Sequence, residues 1–357
     1  MPPLGWRRWS SELRGHRRMK MTMPKISLGF PPGPLALEAA VLAEELGYHR
    51  LWLYDSASIW EDVWVIMGLV AERTSRIGLG TAVLIPNLRH VMTTASAIAT
   101  IERMSPGRLV VGFGTGFTGR CVLGQKSLSW AFTERYVRQL KALLAGEVVE
   151  IDGKPCQMIH HPKMAKTRPI QTPIVLSAFG PKGQAIAKEI ADGIMCYFGG
   201  ANDGTWDQFI RMVDGTVLEP GESPHSERAI DAAGPWWVMG AHATLEMEGA
   251  EALGKWPGGD EYLDQVAADR LEGQRHLAIH EGHCTHLTER DRILIDAVGG
   301  KPQWRGWVGE AAEIKRWAEE EAAAGVSEVF FVPAGSDPLR EVRAFAEATI
   351  GLDTMQA

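Results

Sequence analysis

The chain has 357 residues, of which 45% are hydrophobic, and its formal net charge is −7. A chain of this length and apolar content buries a substantial core, either as one large α/β barrel or as two ordinary domains. The acidic balance and the scattered basic residues argue against a nucleic-acid partner, so we expect a small-molecule substrate.

The four cysteines are far apart and form no CxxC pair, which argues against a disulfide framework or a zinc ribbon and favours the cytoplasm. They are Cys121, Cys156, Cys196 and Cys284. No apolar run has the length of a signal peptide or of a bilayer span, so we expect no contact with a membrane. We predict a disordered basic N-terminal extension over residues 1–23, with a binding arm as the alternative, and a single domain over residues 24–357.

From residue 24 onward, short runs rich in Val, Ile and Leu alternate with longer amphipathic segments, the pattern of parallel strands joined by crossover helices. The predicted strands are 26–30, 51–54, 76–84, 108–113, 173–177, 193–198 and 328–332. The predicted helices are 34–46, 63–74, 91–104, 129–145, 181–191, 309–324 and 339–349. Residues 147–161, with a central Asp-Gly turn, predict a hairpin inserted at the barrel rim.

The pattern weakens after residue 203. Residues 206–217 are expected to be helical and residues 234–243 extended, whereas residues 248–292 show no clear period. With 234–243 counted as a strand, the chain has eight strands, so we predict a (β/α)8 TIM barrel with rim insertions.

The loops that follow the strands of such a barrel assemble its active site. Asp55 and Ser56 follow the second strand, where a carboxylate would point into the barrel mouth; capping of a helix or turn is the alternative. Thr81, Ala82 and Val83 end the third strand, where small side chains let a planar ring approach the backbone. A tapering barrel wall without a ligand is the alternative, and the local sequence alone favours it.

A glycine-rich loop follows the fourth strand and contains Gly112, Gly114, Thr115 and Gly116. Such a loop exposes backbone N–H groups to an anion or packs tightly on a ring. The glycine spacing differs from that of a dinucleotide fingerprint, and a tight turn without a ligand is the alternative.

A later loop runs from a strand into the N-terminus of a helix, where free amides, the helix dipole and a lysine together favour a phosphate. Its residues are Ser177, Ala178, Gly180, Pro181, Lys182 and Gly183. We predict a phosphate site there, with a merely well-capped helix as the alternative.

Histidines cluster in the segment His-Glu-Gly-His-Cys-Thr-His, residues 280–286. HExxH spacing is absent and Gly282 fits an isolated helical metal site poorly, so we expect no metal. A polar active-site wall or a hydrogen-bonded loop is the expected role, and His283 is a candidate proton donor near neutral pH.

Taken in order, these motifs resemble the luciferase-like flavin- and F420-dependent oxidoreductases, in particular the branch of methylenetetrahydromethanopterin reductase. The resemblance spans residues 25–350 and includes Arg-Ile-Gly-Leu-Gly-Thr-Ala-Val, Glu-Arg-Met-Ser-Pro-Gly-Arg-Leu-Val-Val-Gly-Phe-Gly-Thr-Gly and Ser-Ala-Phe-Gly-Pro-Lys-Gly. It implies a flavin or deazaflavin ring against a bulge in the third strand, with a non-proline cis peptide carried over to Ala82 and Val83. It also implies cofactor phosphate on the backbone of residues 180–183, and a homodimer.

Two positions depart from the family pattern. Relatives of the sugar-phosphate dehydrogenase type place His where this chain has Ser56, and they tend to carry an acidic residue where it has Phe117. We therefore do not transfer sugar dehydrogenation to this chain.

The leading hypothesis is hydride transfer between reduced F420 and a small organic substrate. Asp55 would position the ring edge or the substrate, and Ser56 would donate a hydrogen bond. The alternatives are an FMN-dependent monooxygenase, which shields an oxygenated flavin from water, and a non-catalytic flavin-binding protein.

Overall fold

The computed structural model describes residues 23–197 and 199–351, so the N-terminal extension lies almost wholly outside the described residues. The strands are β1 (Lys25–Phe30), β2 (Arg50–Leu53), β3 (Gly78–Leu84), β4 (Leu109–Phe113), β5 (Val149–Ile151), β6 (Lys154–Cys156), β7 (Ile174–Ser177), β8 (Gly193–Cys196), β9 (Phe209–Leu218), β10 (Trp307–Glu310) and β11 (Glu328–Val332). Eight of them form a parallel barrel in the order β11-β1-β2-β3-β4-β7-β8-β9, which closes because β9 pairs with both β8 and β11. The predicted (β/α)8 TIM barrel is confirmed.

The helices surround the barrel and also form an insertion on its rim. They are α1 (Pro34–Glu45), α2 (Val63–Arg73), α3 (Val91–Met104), α4 (Thr118–Cys121), α5 (Trp130–Ala145), α6 (Pro181–Ile190), α7 (Glu227–Glu248), α8 (Ala250–Gly254), α9 (Gly259–Asp269), α10 (Arg275–Ile279), α11 (Glu289–Ala297), α12 (Ala311–Ala323) and α13 (Pro338–Thr349). Short 3₁₀ helices lie at Pro86–Leu88 and Glu272–Gln274. Among the described residues, no helix has both the length and the apolar character needed to cross a membrane.

The periodic part of the sequence predicted its elements well. The predicted strands and helices match barrel elements within a few residues, although residue 198 at the end of one predicted strand lies outside the described residues. The predicted hairpin is also confirmed, as the antiparallel pair β5 and β6. Alternation of buried strands and amphipathic helices was therefore a sufficient signal where each helix has one solvent face.

The prediction of a helix over residues 206–217 was wrong, because this segment contains most of β9. Ile210 to Asp214 pair with β11, and Phe209 to Arg211 pair with β8. Nearly every residue of β9 is buried, so its apolar residues do not alternate with polar ones. Such a run does not distinguish a strand from a helix by period, and the neighbouring strands decide its conformation.

The prediction of a strand over residues 234–243 was also wrong, because this segment is the middle of α7. Pro235 lies inside the helix, and Trp236 and Val238 are buried on different sides of it. A helix buried on several sides has no apolar stripe, and an internal proline is uncommon in a helix. Eight barrel strands are present, but β9 supplies the strand assigned to 234–243.

The segment between β9 and β10, residues 219–306, is here called the cover segment. It contains α7 to α11 and has a core of its own, formed by Ile230, Val238, Ala241, Leu253, Tyr262, Val266, Ala278, Ile279, Leu294 and Ile295. Trp236 and Cys284 of this segment pack with the barrel residues Tyr54, Met195 and Val332. The cover segment therefore lies over the carboxyl-terminal mouth of the barrel.

The opposite end of the barrel is filled by side chains. Glu328 accepts hydrogen bonds from the Ser27 hydroxyl at 2.6 Å and from the Trp52 indole at 2.7 Å. A Cβ at Gly80 would overlap the Trp52 ring, and one at Gly29 would lie 2.9 Å from Phe330. Glycines at these two positions make room for the rings that fill the interior, which leaves the carboxyl-terminal mouth as the place for a site.

Candidate active site

The end of β3 forms one wall of the mouth. The peptide bond between Ala82 and Val83 is cis, as the family resemblance implied, and the β3–β4 register shifts between Thr81 and Leu84. The Thr81 hydroxyl bonds both the amide and the carbonyl of Gly112, at 3.0 and 3.1 Å. Thr81 therefore ties the two strands together, while Ala82 and Val83 remain half-buried and form the surface of the wall.

The glycine loop meets this wall. A Cβ at Gly114 would lie 2.8 Å from Val83 and 3.6 Å from the Cβ of Ser177, so the ends of β3, β4 and β7 converge at Gly114. Thr115 accepts a hydrogen bond from the Leu128 amide at 2.8 Å, and Gly116 has a positive φ of 79°. These two residues give the loop its shape, and the wall beside it is formed by the small side chains of Ala82 and Val83.

The N-terminus of α6 adjoins the same corner. Gly180 is the N-cap residue without a side-chain hydrogen bond, and Pro181 occupies the first turn. A Cβ at Gly183 would overlap the Trp130 ring and lie 3.0 Å from Ala178, so glycine lets α6 approach this corner. Lys182 is exposed. The first amides of α6 have no capping side chain, an arrangement that suits an anion.

Asp55 is held by a buried ion pair. Its carboxylate accepts hydrogen bonds from the Arg89 guanidinium at 2.8 and 3.0 Å and from the Ile85 amide at 3.4 Å. Arg89 also binds Asp62 at 2.8 Å. Burial raises the pKa of Asp55, and the bond from Arg89 opposes this rise. The carboxylate thus links the end of β2 to the loop after β3 and faces Arg89.

Ser56 is buried beside α4. A Cβ at Gly119 would lie 3.0 Å from the Ser56 hydroxyl and would overlap the Ile85 side chain. The Ser56 carbonyl accepts hydrogen bonds from the Ile59 and Trp60 amides at 2.8 and 3.0 Å. Ser56 therefore begins a turn at the point where β2, the loop after β3 and α4 meet.

His283 belongs to a buried hydrogen-bond chain that sequence reasoning did not foresee. Its Nε2 lies 3.1 Å from the Thr118 hydroxyl, and its Nδ1 lies 3.3 Å from Nδ1 of His242. The Nε2 of His242 lies 3.1 Å from the Asp291 carboxylate. The hydrogen-bond chain therefore runs from Asp291 in the cover segment to Thr118, the first residue of α4, just after the glycine loop.

This hydrogen-bond chain determines the tautomer of His242 and of His283. Burial alone would raise the pKa of Asp291, but hydrogen bonds from His242 and Thr288 keep it below the ordinary value, so Asp291 is an acceptor. His242 then donates from Nε2 and accepts at Nδ1, where His283 donates. Burial and the neighbouring His242 and His280 hold the pKa of His283 well below its usual range. The Nε2 of neutral His283 consequently accepts the Thr118 proton.

The mouth also holds a buried acid. The Tyr197 hydroxyl donates a short hydrogen bond to Asp214, and burial raises the pKa of Asp214 to about 6. The hydroxyl of Tyr54 and the indole nitrogen of Trp236 are buried without hydrogen-bond partners among the described residues. Polar atoms from β2, β8, β9 and α7 thus surround the mouth.

Sequence reasoning missed four polar groups of the site, and three of them lie in segments that were assigned incorrectly or left unassigned, whereas Tyr197 lies at the end of a correctly predicted strand. They are Tyr197, Asp214, His242 and Asp291. Asp214 lay in a segment expected to be helical and His242 in one expected to be extended. Arg89 was detectable in principle, since it follows β3 within a loop that a barrel places at the mouth.

Comparison with known proteins gives a consistent result. The family model described as luciferase-like monooxygenase matches residues 22–255. An F420-dependent glucose-6-phosphate dehydrogenase of Nakamurella multipartita is 33% identical over 350 residues, 81% of this chain and 100% of the relative. One of Kineococcus radiotolerans is 34% identical over 192 residues, 49% of this chain and 55% of the relative, so the chain spans about half the length of that relative.

The fold is also similar to a solved structure. The coenzyme F420-dependent tetrahydromethanopterin reductase of Methanopyrus kandleri superposes with a TM-score of 0.62 at 19% identity, covering 92% of this chain and 99% of that one. At this identity the likeness concerns the fold alone. It supports the barrel fold.

Proposed function

The chain belongs to the luciferase-like monooxygenase family, and from this premise we propose that it is an oxidoreductase transferring hydride between the deazaflavin F420 and a small organic substrate. One observation carries the proposal: the wall of Ala82 and Val83, the glycine loop and the uncapped N-terminus of α6 meet at Ser177. A cofactor with a flat ring and a phosphate needs a smooth wall for the ring beside free backbone amides for the phosphate.

The residues present fit F420. At Gly114 a Cβ would press on Val83, so the surface beside the wall is made of backbone and small side chains, which accept a planar ring. The amides of Lys182 and Gly183 and the dipole of α6 would hold the phosphate, and the Lys182 ammonium would add its charge. We propose that the predicted cofactor residues of β3, of the glycine loop and of the start of α6 form this cradle, and that Asp55, the remaining one, positions the loop after β3.

When bound, F420 supplies the carbon that accepts or donates hydride. We assign Thr118 to the substrate. Because its proton is bonded to Nε2 of His283, its oxygen has lone pairs free to accept a hydrogen bond from a substrate hydroxyl. Loss of hydride from an alcohol releases a proton. Thr118 can accept it while its own proton moves to His283 Nε2, and matching shifts from His283 to His242 and from His242 to the Asp291 carboxylate keep both histidines neutral. Asp55 and Ser56 would position the loops around this point.

The FMN-dependent monooxygenase remains the second candidate by family, but the similar dehydrogenases are named for F420. The four cysteines are free, which supports a cytoplasmic location. The family resemblance supports a homodimer. We do not carry glucose 6-phosphate over as the substrate, because Ser56 and Phe117 depart from the pattern of those relatives.

The test is binding followed by transfer. We expect F420 to bind at micromolar concentration or tighter, with quenching of its fluorescence, and FMN to bind more weakly. Deuterium from a labelled alcohol should reach the cofactor stereospecifically, without oxygen uptake. Oxygen consumption with reduced FMN would instead establish the monooxygenase, and failure to bind either cofactor would reject both enzymatic functions.

A further inference from the structure

Three side chains that are distant in sequence lie close together next to the hydrogen-bond chain that contains His283. They are Cys121 at the end of α4, Glu246 in the last turn of α7 and His280 just after α10. One ligand atom from each lies within 4.8 Å of the others, and His280 Nε2 lies 3.3 Å from a Glu246 oxygen. Thiol, carboxylate and imidazole in this proximity are the donor types that zinc prefers.

A second observation points to a ligand. His280 is 1% exposed, and its Nδ1 makes no hydrogen bond among the described residues, while its Nε2 faces the Glu246 carboxylate at 3.3 Å. A buried imidazole nitrogen without a partner costs free energy that a bound cation would recover. Cys121 is also buried, whereas the Glu246 side chain is 20% exposed and gives an ion a path from solvent.

We propose that Cys121, Glu246 and His280 form a binding site for a divalent zinc-type cation. Around tetrahedral zinc the ligand atoms lie roughly 3.3–3.8 Å apart, so the three donors need only small side-chain movements to reach this geometry. Water would complete the coordination. Binding would displace the thiol proton of Cys121 to solvent and leave a thiolate on the metal.

The position of the site suggests what it does. Cys121 follows Thr118 on α4, whereas Glu246 and His280 belong to the cover segment. A bound metal would therefore fasten α4 and the glycine loop to the cover segment over the mouth. Its role is structural, because none of the three residues is among those assigned to the cofactor or to the substrate.

The test uses the full chain, stripped of metal and titrated with Co²⁺ and then Zn²⁺. We expect one equivalent to bind, a thiolate-to-cobalt charge-transfer band, and a higher Tm with Zn²⁺. Cys121→Ser and His280→Gln should each weaken Zn²⁺ binding by more than about 100-fold, beyond the effect typical of outer-shell residues. Cys196→Ser, at a buried cysteine on β8, is the matched control and should bind Zn²⁺ as the parent chain does.

X-ray absorption of the zinc-loaded parent chain tests the site without a variant, in case Cys121→Ser does not fold. One sulfur neighbour at about 2.3 Å is expected. A coordination shell without sulfur, a charge-transfer band that persists in Cys121→Ser, or weak binding that is equal in all variants would overturn the proposal. The last of these outcomes would indicate an adventitious ion only.

Discussion

The Nε2 atom of His283 lies 3.1 Å from the hydroxyl of Thr118, and this contact joins the cover segment to the loop of β4. Because Asp291 and His242 determine which nitrogen of His283 carries the proton, a carboxylate in α11 controls a hydroxyl at the start of α4. The buried chain therefore gives the mouth of the barrel an oriented polar group.

Replacing Thr118 with Val should lower kcat by about 100-fold, the usual loss when a proton-transfer group is removed. F420 affinity should stay within about twofold, since Thr118 is not part of the proposed cradle. Thr118→Ser keeps the hydroxyl and is expected to restore most of the activity. Steady-state kinetics and a fluorescence titration measure both quantities; equal kcat in Val and Ser variants would remove Thr118 from the reaction.

Replacing Asp291 with Asn should keep the hydrogen bonds between Asp291, His242, His283 and Thr118 but reverse the direction of donation in each of them. The amide oxygen can still accept from Thr288, but the amide nitrogen then donates to His242, which must donate in turn to His283. His283 Nε2 would carry a proton and no longer accept from Thr118. We expect kcat to fall at least as far as in Thr118→Val, because the Thr118 proton then has no acceptor and a comparable tautomer switch elsewhere costs about 10⁴-fold. Nitrogen NMR of the histidine rings should report the switched tautomers, and unchanged spectra would contradict the assignment.

Replacing Arg89 with Met leaves the buried Asp55 carboxylate without its partner. Removing one member of a buried ion pair typically costs about 3–5 kcal/mol, and we expect the free energy of unfolding to fall by this order. Arg138→Met is the control, because Arg138 pairs with Glu134 on an exposed helix face, and its Tm should hardly change. Urea denaturation of both variants measures the free energy of unfolding. Equal losses in the two variants would show that the Asp55–Arg89 pair stabilises the fold no more than an exposed ion pair does.

The raised pKa of Asp214 should make the free energy of unfolding depend on pH. Its pKa rises from 3.8 to about 6 on folding, so the folded chain binds the proton more tightly than the unfolded chain. The resulting stability is fully present below pH 3.8 and is lost as the pH rises through about 6, with a maximum effect of about 3 kcal/mol. Asp214→Asn should therefore gain stability relative to the parent chain between pH 4 and about 7.5.

Chemical denaturation of the two chains across this pH range measures the effect of Asp214. Asp207→Asn, at an exposed carboxylate, should run parallel to the parent chain. A constant difference between Asp214→Asn and the parent chain at all pH values would be inconsistent with the raised pKa.

Substitution of Gly114 tests whether the cofactor ring lies against the wall of Ala82 and Val83. A Cβ there would lie 2.8 Å from Val83, so Gly114→Ala should push the end of β3 and reduce F420 affinity by at least about tenfold, with a stability loss of about 1–3 kcal/mol. Gly273→Ala is the control, since a Cβ at Gly273 meets no atom within 4 Å. Affinity is compared by fluorescence titration at a temperature where circular dichroism shows both variants folded. Normal affinity in Gly114→Ala would place the ring elsewhere.

Sequence reasoning was most accurate for elements whose pattern reflects one buried face. Helix α3 was predicted with its observed bounds, Val91–Met104, because its apolar side faces the barrel and its polar side faces solvent. Strand β9 and helix α7 were assigned to the wrong class, since both are buried on several sides. The proposed cofactor cradle could be assigned to particular residues from the sequence because each of its parts follows a recognisable strand.

The amino-acid sequence by itself determined the barrel, the glycine loop and the start of α6, because local periodicity, glycines and a helix-starting proline are short-range signals. Tertiary structure alone decided the polar partners: Arg89 for Asp55, Thr118 and His242 for His283, and Asp291 for His242. These contacts join residues that are 34 to 165 positions apart, and no local pattern encodes such pairing. The polar chemistry of the mouth arises where the cover segment folds back over the barrel.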